Sequence, residues 1–144
     1  MITLPSRVAS LSVIAMLAFT SAAFAESQHY SADLKASSEV PANDSKGTGK
    51  LDATYDTSSK KLTYTVTYMG LTGPATAAHF HGPAEPGANA GVLIPIKDVH
   101  TPIKDQATLT DAQAADLQAG KMYFNVHTAA HPGGEIRGQV TKAP

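Results

Sequence analysis

Lys61-Leu62-Thr63-Tyr64-Thr65-Val66-Thr67-Tyr68-Met69 alternates without a break. Leu62, Tyr64, Val66 and Tyr68 share one phase and Thr63, Thr65 and Thr67 the other, the period-2 pattern of a strand with one face in a core. Just upstream, Leu51, Ala53 and Tyr55 repeat that pattern, and Asp56 to Lys60 supplies turn residues, so the two segments read as a hairpin. Working outward, the segment from Gln28 to Ala36 would bury Tyr30, Ala32 and Leu34. Shorter apolar segments follow at Gly91–Ile96, Gln106–Thr110, Lys121–His127 and Glu135–Thr141, each set off by turn residues. This spacing predicts an all-β sandwich or barrel. One stretch departs from it: Thr110 with Gln113 three residues later has the spacing of a capping box, and Gly120 stands where a helix would stop. One short helix is predicted over residues 111–118.

The chain of 144 residues opens with Arg7, an apolar run from Leu11 to Phe19, and Ala23-Phe24-Ala25. This is the pattern of a secretory leader over residues 1–25, cut after Ala25 and too short to span a bilayer comfortably. Residues 26–144 then form one domain, since no linker or shift of composition divides them. Removing 25 from 144 leaves 119 residues, and loss of Arg7 leaves ten basic against twelve acidic side chains, a net charge near −2. Nothing basic is clustered, which argues against a nucleic-acid partner, and no second apolar run is long enough for a membrane span after leader cleavage. A periplasmic or secreted location follows from the leader. Cysteine is absent although export would permit disulfides, so a metal site would have to use His, Met or carboxylate.

Four of six histidines fall in or beside two Thr-Ala-Ala-His segments: His79 and His81 in the first, His127 and His131 around the second. On a strand His79 and His81 point the same way, opposite to Ala78 and Phe80. His127 ends an alternating segment, out of phase with Phe124 and Val126, and His131 follows in the loop before Pro132-Gly133-Gly134. Neutral imidazoles in this number suit copper(II), with zinc as the alternative. A geometric obstacle stands against the site: His81 and His127 both lie at C-terminal strand ends, which adjacent antiparallel strands send to opposite rims. The pairs then meet only if the strands are parallel or the loops fold back. The competing reading is that these histidines brace loop backbone.

Other chemistry is thinly represented. Beyond the leader every serine precedes residue 60, none in a nucleophile-elbow pattern, and Gly47-Thr48-Gly49-Lys50 lacks the spacing of a phosphate loop and reads as a strand start. Glu135 and Arg137 alternate as a surface ion pair would. Asn43-Asp44-Ser45 fits a glycosylation sequon. Met69 and Met122 could extend a copper(I) site but read as packing, and His29 and His100 read as surface or core residues. The Pro/Gly-rich loop from Gly82 to Gly91 is either one wall of a site or an ordinary crossover.

Three stretches together, Gly70–Ile96, Leu117–Val140 and the earlier Ser31–Pro41, resemble the CHRD domain, named for repeats in the animal protein chordin. The resemblance covers about residues 29–141. The family's His-x-His-Gly-Pro falls on His79, His81, Gly82 and Pro83. Its second block falls on His127, Thr128, His131, Pro132, Gly134, Glu135, Ile136, Arg137 and Gly138. The resemblance implies an immunoglobulin-like, Greek-key antiparallel β-sandwich, here with one short helix. In chordin the repeats belong to an extracellular antagonist of bone morphogenetic proteins, but this chain has one copy and none of chordin's cysteine-rich modules, so growth-factor binding does not carry over. A looser likeness to Cu,Zn superoxide dismutase rests on a His-x-His strand in a β-sandwich, without the disulfide or the zinc-loop pattern. The expectation is therefore an exported protein that binds copper through His79, His81, His127 and His131 for binding, storage or delivery, rather than an enzyme. The alternatives are a protein–protein interaction module with structural histidines and a dismutase-like copper enzyme.

Overall fold

In the computed structural model, which describes residues 25–144, the hairpin forms as the alternation requires. Strand β2 (Thr48–Asp56) pairs antiparallel with β3 (Lys61–Met69), setting Leu51 opposite Val66, Ala53 opposite Tyr64 and Tyr55 opposite Leu62. All six are buried, while Thr63 and Thr67 of the other phase face solvent. Strand β1 (Ser27–Lys35) joins the far side of β2 and buries Tyr30, Ala32 and Leu34. Met69 is a correction: it closes β3 exposed to solvent, whereas Met122 is fully buried in the core. The leader expected over residues 1–25 lies outside the described residues apart from Ala25.

The remaining strands are β4 (Ala75–His81), β5 (Val92–Pro95), β6 (Ile103–Thr108), β7 (Met122–Thr128) and β8 (Ile136–Lys142). A 3-10 turn follows β1 at Ala36–Ser38. The eight strands form one continuous antiparallel sheet in the order β5-β4-β7-β8-β1-β2-β3-β6. The fold is thus all-β, and the sheet is nearly closed. Four strands separate β4 from β3 in that order, yet the Tyr64 and Phe80 rings meet edge to face at 5.0 Å. Contact at that range requires the sheet to curl over until its two ends share one core. Phe80 also meets Phe124 of β7 at 4.9 Å, so an aromatic cluster fills the centre.

Helix α1 (Asp111–Gln118) occupies the predicted residues. The Thr110 hydroxyl accepts from the Gln113 N–H at 3.2 Å, and the Gln113 side chain accepts from the Thr110 N–H at 3.0 Å. Together they satisfy two of the orphan donors of the first turn. Gly120 leaves the helix at φ +70°, and Leu117 and Ala114 anchor it on the core.

Candidate metal centre

Strand β7 differs from the others because all seven of its residues are buried. Met122, Phe124 and Val126 enter the core, so Tyr123, Asn125 and His127 must be covered on the opposite face of the sheet. The cover comes from the loop between β4 and β5, the loop after the 3-10 turn, and the turn between β7 and β8. Here the histidines meet. Register sets His79 opposite Asn125, His81 opposite Tyr123 and Ala77 opposite His127. His79 and His127 are therefore diagonal neighbours on one face, within side-chain reach.

Adjacent antiparallel strands do not send the two histidine segments to opposite rims, because the meeting point is within the paired region rather than at its ends. The diagonal stagger, not a parallel pairing, removes the obstacle read from the sequence. Among the described residues, His79, His81 and His127 are the group whose ligand atoms all lie within 4.8 Å of one another. His81 and His127 are buried and His79 half-buried. His131 stands outside this group. It sits in the turn after β7, where its N–H donates to the Thr128 carbonyl at 3.1 Å, and it borders a cavity of about 240 Å³ with Glu39 and Gly134. His29 and His100 are elsewhere, the first beside Thr54 and the second paired with Asp98 at 2.6 Å.

The hydrogen bonds assign the ring nitrogens. His81 Nδ1 lies 3.0 Å from the Ala90 carbonyl and His127 Nδ1 lies 2.9 Å from the Pro132 carbonyl. A carbonyl can only accept, so each Nδ1 carries a proton, which in the neutral ring leaves the lone pair on Nε2. His127 Nε2 then faces His79 Nδ1 at 3.1 Å. Burial pushes His79 below the usual histidine range, and His127 and His81 beside it act in the same direction. Burial lowers His81 too, outweighing its hydrogen bonds with the Ala90 carbonyl and the Asn125 side chain, while His127 and Arg137 add to the lowering. Both rings are held in the neutral form that a metal ligand requires.

Around the cluster is a layer that the sequence pattern did not single out. Tyr123 stacks on His81 with centroids 4.7 Å apart, and the Arg137 guanidinium lies 3.4 Å from the centre of the Tyr123 ring. Arg137 donates to the Ala88 carbonyl at 2.6 Å and to Asn89 Oδ1 at 3.0 Å, and Asn89 Nδ2 donates to the Val40 carbonyl at 2.9 Å. The loop from Gly82 to Gly91 is therefore a wall of the site. The expectation of a surface pair at Glu135 and Arg137 is overturned, since the two are 0% and 2% exposed and have different partners. Glu135 accepts from Ser45 Oγ, Thr128 Oγ1, and the N–H and hydroxyl of Thr72. Burial pushes its carboxyl up, but these bonds prevail and hold it down at about 2. The sequon asparagine is likewise occupied: Asn43 Nδ2 donates to the Glu135 carbonyl at 3.0 Å.

Glu39 is the exception to this satisfaction. It is 5% exposed, its Oε1 has no hydrogen-bond partner, and burial pushes it up to about 7 against the opposing influence of Arg137, Asn125 and Val40. Gly134, at φ +126°, closes over it. A Cβ there would collide with the Glu39 carboxyl and lie 2.8 Å from Asn125 Nδ2, so only glycine fits.

No curated protein and no solved structure matches the chain. The family model for the CHRD domain matches residues 30–140, a span that runs from β1 into β8 and takes in every histidine of the cluster. With most of its length matched, the chain belongs to the CHRD domain family.

Proposed function

We propose that the protein is an exported binder of a transition metal, copper in the first instance, which His79, His81 and His127 hold for storage or delivery in the periplasm. One observation carries this reading. Three imidazoles present ligand nitrogens within 4.8 Å of one another on a loop-covered face of the sheet, and no thiolate competes because the chain lacks cysteine. Copper(II) is favoured over the other divalent metals at nitrogen sites of this kind. Export rests on the leader pattern of residues 1–25.

The loop-bracing alternative is compatible with this reading, because the two tasks fall on different atoms. Nδ1 of His81 and of His127 braces a loop carbonyl, while Nε2 of each faces the cluster. Such bracing of the second ring nitrogen is what orients metal-bound histidines generally. The dismutase alternative needs a cation to attract a small anion, and Arg137 is turned into the loop backbone and the Tyr123 face. Binding and release therefore suit the site better than turnover.

Calorimetric titration of copper(II) and zinc(II) into the protein lacking residues 1–25 tests the proposal. One copper per chain should bind, and replacing His79 and His81 together with Ala should abolish the tight phase. Tight one-to-one binding that survives the double replacement would place the metal elsewhere.

A further inference from the structure

Arg137 is buried, at 2% exposure, and among the described residues no carboxylate pairs with it. Its guanidinium donates to uncharged acceptors, the Ala88 carbonyl and Asn89 Oδ1. A buried charge without a counter-charge is costly, and here the face of Tyr123 stands in for one. Strand β7 lies between β4 and β8, so Tyr123 meets His81 of β4 on one side and Arg137 of β8 on the other. The His81 and Tyr123 rings are 4° from parallel with centres 4.7 Å apart, and the guanidinium carbon is 3.4 Å from the centre of Tyr123. Guanidinium, phenol and imidazole thus form one stack across three strands. Those two separations leave the guanidinium carbon no more than about 8 Å from the centre of the His81 ring.

Resting on the metal-binding reading above, we propose that Arg137, stacked through Tyr123 onto His81, biases the histidine centre by charge, favouring monovalent copper(I) over copper(II) and zinc(II). Imidazole binds a metal as an uncharged ligand, and the group of His79, His81 and His127 contains no carboxylate. Nothing in the set therefore balances the charge of the ion. A permanent cation at the end of the stack opposes every unit of that charge. At about 10 Å and an effective dielectric constant of about 20, each unit is disfavoured on the order of tenfold. The opposition counts once for copper(I) and twice for copper(II) or zinc(II). Arg137 therefore raises the ratio of copper(I) to copper(II) affinity about tenfold, which for one electron is about 59 mV of potential. The order among divalent ions is untouched, since all are opposed alike. Arg137 is not a ligand but a positioning residue, setting a fixed charge beside the ring that is.

Two neighbours bear on this field. Asn89 is exposed and its Oδ1 touches the guanidinium, so a carboxylate at that position would answer the charge directly. Glu39 lines a small cavity together with Arg137 and carries the carboxyl that can answer it within the fold. Arg137 also ties down the loop from Gly82 to Gly91, but that task belongs to its hydrogen bonds, whereas the bias belongs to its charge.

The test uses the full mature protein with zinc(II) alone, copper(II) alone, and copper(I) supplied under argon in competition with a chromogenic chelator. Ratios of affinity are compared, because they cancel whatever the loop contributes equally to all three ions. Arg137→Gln should lower the ratios of copper(I) to copper(II) and of copper(I) to zinc(II) about tenfold each. Arg137→Lys keeps the charge and loses the forked hold on the loop, so its ratios should stay near those of wild type. Ratios that do not fall in Arg137→Gln, or that fall equally in Arg137→Lys, would reduce Arg137 to a brace and overturn the proposal. Asn89→Asp decides the matter if Arg137→Gln does not fold: both ratios should drop, by a smaller factor, and unmoved ratios count against the bias. The same comparisons in a Glu39→Gln background remove the carboxyl whose ionisation would otherwise mask the change. Wild-type protein that takes up none of the three ions would sink the metal-binding reading and this one together. Uptake with ratios indifferent to Arg137 would sink this one alone.

Discussion

Exchange of Glu135 for Gln should cost the fold about 3–4 kcal/mol at neutral pH, and that cost should vanish in acid. The carboxylate is 0% exposed and receives four hydrogen bonds from Ser45, Thr72 and Thr128. A glutamine of the same shape keeps partners for all four, because hydroxyls can turn and accept from its amide. What is lost is the charge in each bond, about 1 kcal/mol apiece by the difference between charged and neutral hydrogen bonds. Linkage gives a similar figure independently. The carboxyl is held at about 2 against an ordinary 4.5, and each pH unit between is worth about 1.4 kcal/mol, or about 3 kcal/mol after some screening. Since the folded-state value is depressed, the stabilisation is complete above 4.5 and is lost as the pH falls through 2. Urea unfolding of wild type and Glu135→Gln across that range, without metal, measures the difference directly. A gap within about 0.5 kcal/mol at pH 7, as for an exposed pair, or a larger gap that does not shrink in acid, would refute the clamp. The clamp also reaches the metal site, since it fixes the end of the turn whose Pro132 carbonyl orients His127.

Glu39 should behave in the opposite sense. Its carboxyl is raised from 4.5 to about 7, so the folded state holds a proton that the unfolded chain has released, and metal-free stability should fall as the pH rises through that interval. Glu39→Gln should remove this decline in urea unfolding and be the more stable protein at alkaline pH. Gly134→Ala should destabilise by about 2 kcal/mol or more through positive φ and collision with Glu39, and should weaken copper binding in titration because Asn125, which touches His81 and His127, is displaced. Phe80→Ala, at the centre of the aromatic cluster, should lower stability by about 3–5 kcal/mol, measured by thermal or urea unfolding.

The hairpin of β2 and β3 was legible because each strand buries one face, and one-sided burial writes an alternation that needs no partner to interpret. The same holds for Tyr30, Ala32 and Leu34 of β1, and the capping residues of α1 are local enough to be read directly. Closure of the sheet was not legible. It depends on β8 returning to β1, about a hundred residues away along the chain, and on β7 pairing with β4, about fifty residues away. Met69 was misread for a related reason: an apolar residue at a strand end carries no sign of whether another layer will cover it.

At the site, alternation found the correct face for His79, His81 and His127 but could not supply the stagger between strands. A shift of two residues decides whether His127 stands opposite Ala77 or opposite His79, and no single strand encodes it. Asn125 had a signal that went unused. It shares the phase of His127 and Tyr123, in a strand whose other phase is apolar from Met122 through Phe124 to Val126. A polar amide at the middle of such a strand must be satisfied by something on its own face. Glu135 and Arg137 show the converse limit. On an open sheet surface their alternation would mean an exposed pair, and only the loops folded over β7 and β8 turn each into a buried group with separate partners. The loops are thus the element that makes the centre: they bury a polar sheet face, and by giving His81 and His127 a carbonyl each, they free the opposite nitrogens for a metal.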